Sequence, residues 1–190
     1  WRHFEDLRVP IYWEWMHSIW EVAQPIAAKA GISMPEEFYG PLPDWLPCAS
    51  HECTKEGFDL YAFYYRDIVH TNSLTLENAW LDEAAQMDPF SYNIALNEDV
   101  GKAKGLKTGD EVWIENEQGK KVKGKLRLTQ TIHPEGLGIG ACAGHWTDKM
   151  PIAKGKGIFI NDLLELDLGH SSPTNLSLDV CIKVKISRVN

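Results

Sequence analysis

Lys121-Val122-Lys123-Gly124-Lys125-Leu126-Arg127-Leu128 alternates without a break. Successive strand side chains point to opposite faces. Val122, Gly124, Leu126 and Leu128 therefore share one face, and Lys121, Lys123, Lys125 and Arg127 the other. This is the pattern of a half-buried strand in a sheet with one solvated face. Just before it, Glu111-Val112-Trp113-Ile114-Glu115 forms a second strand, and Glu117-Gln118-Gly119-Lys120 has the composition of a hairpin connection. The row of four cations has two readings. It is either a track for phosphates or the partner of Glu111, Glu115 and Glu117 across the hairpin, and cross-strand charge pairing is the simpler of the two.

Working outward, Lys107-Thr108-Gly109-Asp110 is a turn by composition. Gly105 closes a short helix for which Asn97 is the cap, with Glu98 and Asp99 at its positive end. Tyr92-Asn93-Ile94-Ala95-Leu96 is a strand, and Leu76 to Met87 carries a helical turn or two ended by Asp88-Pro89. The nearly continuous apolar run Phe58 to Tyr65 predicts a strand covered on both faces. Downstream, Leu137 to Cys142 is a strand whose glycines admit close approach, and it ends in the loop Gly144-His145-Trp146. Val180 to Ile186 alternates again. Short strands with short helices between them predict a mainly β, closed barrel rather than a parallel sheet with crossover helices.

Residues 1–57 differ in composition and are expected to be a helical and proline-rich extension or linker, with the barrel domain over 58–190. A helix spans about Trp13 to Ala30, with Gly31 as its stop. Pro35, Pro41, Pro43 and Pro47 then favour an extended segment lying across a surface. Trp13, Trp15, Trp20 and Trp45 would leave an apolar patch unless another domain covers it.

A chain of 190 residues with 44% apolar and 24% charged residues has the balance of one globular core plus an extension. Its net charge of -8 argues against nucleic acid or an anionic membrane surface as a partner. No apolar stretch approaches the length of a bilayer span, so direct membrane insertion is not expected. The chain opens on Trp1 and is read as part of a longer protein, which leaves the compartment unassigned. Cys48 and Cys53 have a spacing unlike zinc or redox pairs, and Cys142 and Cys181 are expected as buried free thiols.

The sequence contains no G-x-S-x-G elbow, H-E-x-x-H pair, phosphate-binding G-x-x-x-x-G-K-[ST] loop or G-x-G-x-x-G turn between strand and helix. No catalytic set and no metal-ligand cluster is assigned, and the chain alone is expected to be catalytically silent. The remaining polar candidates fall at strand ends or in loops, where binding groups concentrate: Arg66, His70, Thr71, Asn72 and Ser73, then His145, Trp146, Asn161 and Asn175. Each also has an ordinary explanation, such as a loop cap or a surface ion pair.

Taken in order, these segments carry a resemblance. Arg66-Asp67-Ile68-Val69-His70-Thr71-Asn72-Ser73 follows a hydrophobic strand. Gly105-Leu106-Lys107-Thr108-Gly109-Asp110-Glu111-Val112 follows a strand ending in asparagine and a short helix. Thr131-Ile132-His133-Pro134 leads to Gly136, Gly144-His145-Trp146 comes next, and Lys154-Gly155-Lys156-Gly157 leads to Asn161. From Phe58 onward the chain resembles the C-terminal molybdopterin-dinucleotide-binding domain of the dimethyl sulfoxide reductase family of molybdenum and tungsten oxidoreductases. Pro41 to Pro47 resembles the linker entering that domain, and Tyr61 to Trp80 with Trp146 to Lys156 looks most like the branch that includes phenylacetyl-CoA:acceptor oxidoreductase.

The resemblance implies a six-stranded double-psi β-barrel and a bis(molybdopterin guanine dinucleotide) cofactor with Mo or W. It also implies anaerobic metabolism, partners in the upstream domains of the same catalytic subunit and in an iron-sulfur electron-transfer subunit, and any iron-sulfur cluster upstream. Arg66 would contact phosphate, and His70, Thr71, Asn72 and Ser73 would supply donors at the adjoining turn. His145, Trp146, Asn161 and Asn175 would line the pterin side. Two departures touch these loops: Tyr64-Tyr65 replaces the Thr-Gly that usually precedes the arginine, and His170-Ser171-Ser172-Pro173-Thr174-Asn175 replaces the common signature near the end. The same barrel also occurs as a protein-binding module without cofactor, and in a self-processing decarboxylase that requires a Gly-Ser pair absent from this chain.

Overall fold

The computed structural model describes residues 13–42, 45, 49–140, 143–164 and 182–189. Contacts divide these into two units, one of residues 13–42 and 45, the other of the remainder.

The second unit is a barrel. Its strands are β1 (Leu60–Tyr65), β2 (Asn93–Asn97), β3 (Glu111–Asn116), β4 (Lys121–Thr129), β5 (Gly136–Gly140) and β6 (Ile182–Arg188), closed in the order β1-β5-β2-β4-β3-β6. β1 runs parallel to β5 and β2 parallel to β4, and the other neighbours are antiparallel. Exchanging β1 with β4, β2 with β5 and β3 with β6 maps every pairing onto another of the same sense. That internal two-fold, with its two interlocked parallel pairs, is the double-psi β-barrel expected from the sequence.

The barrel interior holds Leu60, Ala62, Ile94, Leu96, Val112, Ile114, Val122, Leu126, Leu137, Ile139 and Val184, closed at one end by Ile158, Ile160 and Leu163. Fully burying a Leu or Ile side chain stabilises by roughly 1.5–3 kcal/mol, so this cluster supplies the main driving force. Gly124 admits the plug: a Cβ there would lie 2.4 Å from Ile158 Cδ1 and 2.9 Å from Ile94 Cδ1.

The β3–β4 hairpin has the predicted register, with Glu115 opposite Lys121 and Val112 opposite Gly124. The lysine row divides. Lys121 pairs with Glu115 at 3.0 Å and Lys123 with Glu111 at 3.5 Å, as cross-strand pairing requires. The hydrogen bond from Lys121, reinforced by Lys185 at 3.2 Å, holds the Glu115 carboxyl below its ordinary value against the opposing effect of burial. At the hairpin, buried Asn116 accepts from the backbone N–H of Gln118 and Lys120 and donates through Nδ2 to the Leu163 carbonyl at 2.7 Å. Asn116→Ala is expected to cost about 2 kcal/mol, since several buried bonds are lost together. Urea denaturation checks it, and a midpoint equal to that of the parent protein would contradict the role.

Asn97 caps α4 (Glu98–Ala103) as expected, accepting from Asp99 and Val100 N–H. One sequence expectation needs correction. β1 is covered inside by the core but only partly outside, because Phe63 remains exposed; Tyr64, on the inner face by alternation, is exposed near the strand's end. Its outer rings lie over the glycines of β5: a Cβ at Gly136 would meet Phe63 at 3.2 Å, and one at Gly138 would meet Tyr65 at 3.1 Å. The helical turns expected over Leu76 to Met87 are α3 (Ala79–Met87), capped by the Asn78 side chain and ending at Asp88, and a 3-10 turn, Asn72–Thr75, precedes them.

In the first unit, α1 (Trp15–Lys29) ends where Gly31 takes φ 70°, and the Gly31 and Ile32 N–H groups bond back to Ala28 and Ala27. The proline-rich segment is not uniformly extended: Glu36–Tyr39 is a 3-10 turn that buries Phe38. Trp15 and Trp45 are 55% and 72% exposed, whereas Trp20 is partly buried and donates Nε1–H to the Met34 carbonyl at 2.8 Å. Cys53 is a buried free thiol, and Cys48, Cys142 and Cys181 lie outside the described residues. The short helix α2 (Ala49–Glu52) belongs to the second unit. Among the described residues no helix is long and apolar enough to cross a membrane.

Candidate functional site

β1 and β5 are parallel and Tyr65 pairs with Gly140, so both strands end side by side at one end of the barrel. The segment from Arg66 leaves from the first, and the segment leading to Ala143-Gly144-His145-Trp146 from the second. Beneath them sits a small second core of Leu76, Ala143 and Ala153, with Tyr92 and Met150 against it.

Polar contacts bind these segments together. The Glu77 carboxylate accepts from Ile152 and Ala153 N–H at 3.3 and 2.8 Å. Gly144 N–H donates to the Lys156 carbonyl at 2.9 Å. Gly144, at φ 96°, is packed so closely on Ile158-Phe159 that a Cβ would lie 2.0 Å from Phe159 N. The loop carrying His145 is therefore pressed onto residues 156–159.

His70 is buried. Its Nδ1 lies 3.2 Å from Thr75 Oγ1 and its Nε2 2.9 Å from the Tyr92 hydroxyl. Tyr92 Oη donates to Asp82 Oδ1 at 3.0 Å. Asp82 Oδ2 accepts from Lys156 Nζ and from Gln86 Nε2, both at 2.6 Å. Burial is the largest single influence on Asp82 and pushes its carboxyl up, but the hydrogen bonds from Lys156, Tyr92 and Gln86, with the Lys156 charge, outweigh it and hold the carboxyl below its ordinary value.

Arg66 is placed differently. It lines an open cavity of about 310 Å³ with Phe63, Tyr65, Asp67, Asp88 and Phe90, and makes no hydrogen bond or ion pair with the described residues. Asp67 accepts from Val69 N–H and from the Ser91 hydroxyl, and Asp88 accepts from Phe90 and Ser91 N–H. The Tyr65 phenol, donating to the Phe90 carbonyl at 2.9 Å, is pushed up to about 12 by burial and by the Asp67 and Asp88 charges, so it stays a neutral donor. Across the Asp88–Ser91 turn lies a second, polar cavity of about 540 Å³ that includes Tyr92, Lys123, Lys125, Gly155, Lys156 and Gly157.

Of the other candidates, Thr71 donates its N–H to Thr75 Oγ1 at 3.0 Å, Asn72 adopts φ 50°, and Ser73 is half-buried in the same turn. The His145 ring lies against Phe159, centroids 4.9 Å apart, and its buried Nδ1 has no hydrogen-bond partner among the described residues. Trp146 is 44% exposed. Asn161 is exposed within the 3-10 turn Ile160–Asp162, whose cap is Phe159. Asn175 lies outside the described residues. Sequence reasoning missed Asp82, Gln86, Tyr92 and Lys156 as members of the site. Lys156 stood in a quoted motif, but nothing in a linear sequence marks Asp82 and Tyr92 as its partners. Among the described residues no group of His, Cys, Asp and Glu could hold a metal ion.

Fold and site together define a double-psi barrel with a polar, loop-built site at one end and no metal-ligand cluster among its described residues. No protein-family model matches the sequence. Over 94 residues, 47% of the chain, it is 36% identical to the thiosulfate reductase molybdopterin-containing subunit PhsA of Salmonella typhimurium, of which the match covers 12%. The acetylene hydratase of Pelobacter acetylenicus shares the fold, with a TM-score of 0.62 at 18% identity over 86% of this chain and 22% of the hydratase. The chain is thus a relative of part of a molybdopterin-containing oxidoreductase subunit and spans only a small fraction of the proteins it matches.

Proposed function

We propose that this chain is the C-terminal, cofactor-binding part of the catalytic subunit of a molybdenum or tungsten oxidoreductase, holding bis(molybdopterin guanine dinucleotide). The observation that carries the reading is the juxtaposition at the parallel ends of β1 and β5, where the Arg66–Ser73 segment and the His145 loop leave the barrel together. The 36% identity to a molybdopterin-containing subunit supports it.

The donor set suits such a group. A dinucleotide needs a cation for its pyrophosphate and neutral donors for its ring systems. Arg66 offers a guanidinium with no hydrogen bond or ion pair among the described residues, Thr71, Asn72 and Ser73 an adjoining polar turn, and His145 a buried Nδ1 without a partner among the described residues. Trp146, Asn161 and Asn175 would face the pterin side. When bound, the group supplies the redox chemistry at its metal. The protein's part is to bind it, orient it and keep water from its inner face. Residues 1–57, with exposed Trp15 and Trp45, would pack on upstream domains of the same subunit, and an iron-sulfur subunit would exchange electrons with the whole.

Arg66→Ala should remove a charge-assisted bond of roughly 1.5–3 kcal/mol, and Asn161→Ala a neutral contact of about 1 kcal/mol. Pterin content per folded full-length subunit is the measurement, with Lys123→Ala as control because Lys123 is exposed and engaged by Glu111. Loss is expected in the order Arg66, Asn161, control. Equal pterin in all three variants would show that the site lies elsewhere.

A further inference from the structure

The contacts at His70 determine where its protons sit. Asp82 is held as a carboxylate by Lys156 at 2.6 Å, so it can only accept. The single hydroxyl proton of Tyr92, which donates to Asp82 Oδ1, is then committed. Tyr92 Oη must accept from His70, which places a proton on Nε2. For a neutral ring, Nδ1 is an acceptor and takes the Thr75 hydroxyl proton, while Thr75 Oγ1 accepts from Thr71 N–H. Every bond in the chain from Thr71 through Thr75, His70 and Tyr92 to Asp82 runs in one direction and ends on the Asp82–Lys156 pair.

We propose that this chain of hydrogen bonds is a positioning relay, with His70 donating from Nε2 to Tyr92, that fixes the Arg66–Thr75 segment against the Gly155-Lys156-Gly157 loop. The segment follows β1, whereas Lys156 belongs to the β5–β6 connection, whose carbonyl also holds Gly144 next to His145. The relay is thus a second polar link between the two groups of candidate ligand residues, beside the Glu77 contacts to Ile152 and Ala153. It reassigns His70: both ring nitrogens are occupied by protein, so it positions its neighbours rather than touching a ligand. Tyr92 reaches this geometry by adopting φ 62°, the left-handed region that a tyrosine rarely enters. Its bearing on the cofactor rests on the functional reading above, whereas the relay itself does not.

The test uses the full-length protein, isotope-labelled at histidine for nitrogen spectra and followed separately by amide hydrogen exchange. His70 is expected to carry a proton on Nε2, and Tyr92→Phe, which removes the acceptor for that proton, is expected to erase the preference for that nitrogen. Lys156→Met is expected to raise exchange in the Arg66–Thr75 segment on the order of tenfold, the scale of one lost charge-assisted bond, with β3 and β4 unchanged and with recovery in Lys156→Arg. A His70 proton on Nδ1 alone, or faster exchange in Lys156→Met confined to residues 153–158, overturns the relay. Pterin content is measured in the same samples. A parent protein without pterin overturns the cofactor reading, while the tautomer and exchange results still decide the relay.

Discussion

Gly144→Ala is expected to destabilise the protein by about 3 kcal/mol or more. Two costs add. The residue sits at φ 96°, a region L side chains rarely adopt, for which strain is about 1–3 kcal/mol. Its new methyl group would lie 2.0 Å from Phe159 N and 2.1 Å from the Ile158 carbonyl carbon, so backbone must move, at about 1–3 kcal/mol for overpacking. Gly155→Ala is the control. Gly155 is also left-handed, at φ 74°, but a Cβ there meets nothing within 4 Å, so it carries the conformational cost alone, about 1–2 kcal/mol. Denaturation midpoints of the two variants make the comparison, and equal midpoints would mean that the 144–146 loop does not press on residues 158–159. The consequence reaches function, because Ile158 plugs the barrel while His145 stands one residue from the glycine.

The β3–β4 hairpin was legible because its period-two alternation is unbroken and its turn has the right chemistry, and the Asn97 cap because a capping residue acts on its own neighbours. Interactions between distant segments were not. The Phe58 to Tyr65 run looked like a strand buried on both faces, since its outer rings are apolar. Those rings lie over the glycine stripe of β5 and stay partly exposed, and register between strands far apart in sequence leaves no mark on either. The proline-rich segment looked extended, yet Pro35 precedes a 3-10 turn, as its fixed φ allows. The lysine row carried two readings because linear charge spacing cannot distinguish them. Lys121 and Lys123 meet carboxylates, while Lys125 lines the polar cavity with Lys156. The site itself was half legible: Arg66, His70 and His145 stood out by residue type and strand-end position. Asp82 carries no mark in the sequence, and only the tertiary fold turns it toward Tyr92 and Lys156.

Asp82→Asn is expected to lower stability by about 3 kcal/mol at neutral pH, the lower end for breaking a buried ion pair. Asp82 is 7% exposed, and its loss leaves Lys156 Nζ without its counter-charge and disrupts the acceptors for Tyr92 and Gln86. The pH dependence gives the sign. Its folded carboxyl titrates below the ordinary value of 3.8, because the Lys156, Tyr92 and Gln86 bonds outweigh the opposing effect of burial. A group depressed on folding contributes stability that is fully present above its unfolded value and lost as pH falls through its folded value. The gap between the parent protein and Asp82→Asn should therefore be constant from neutrality down to about pH 5 and shrink below about pH 4. Urea midpoints at pH 7 and pH 3 measure it. A gap unchanged at pH 3 would mean that shape and hydrogen bonding alone, without the carboxylate charge, hold Lys156 and the loop it carries.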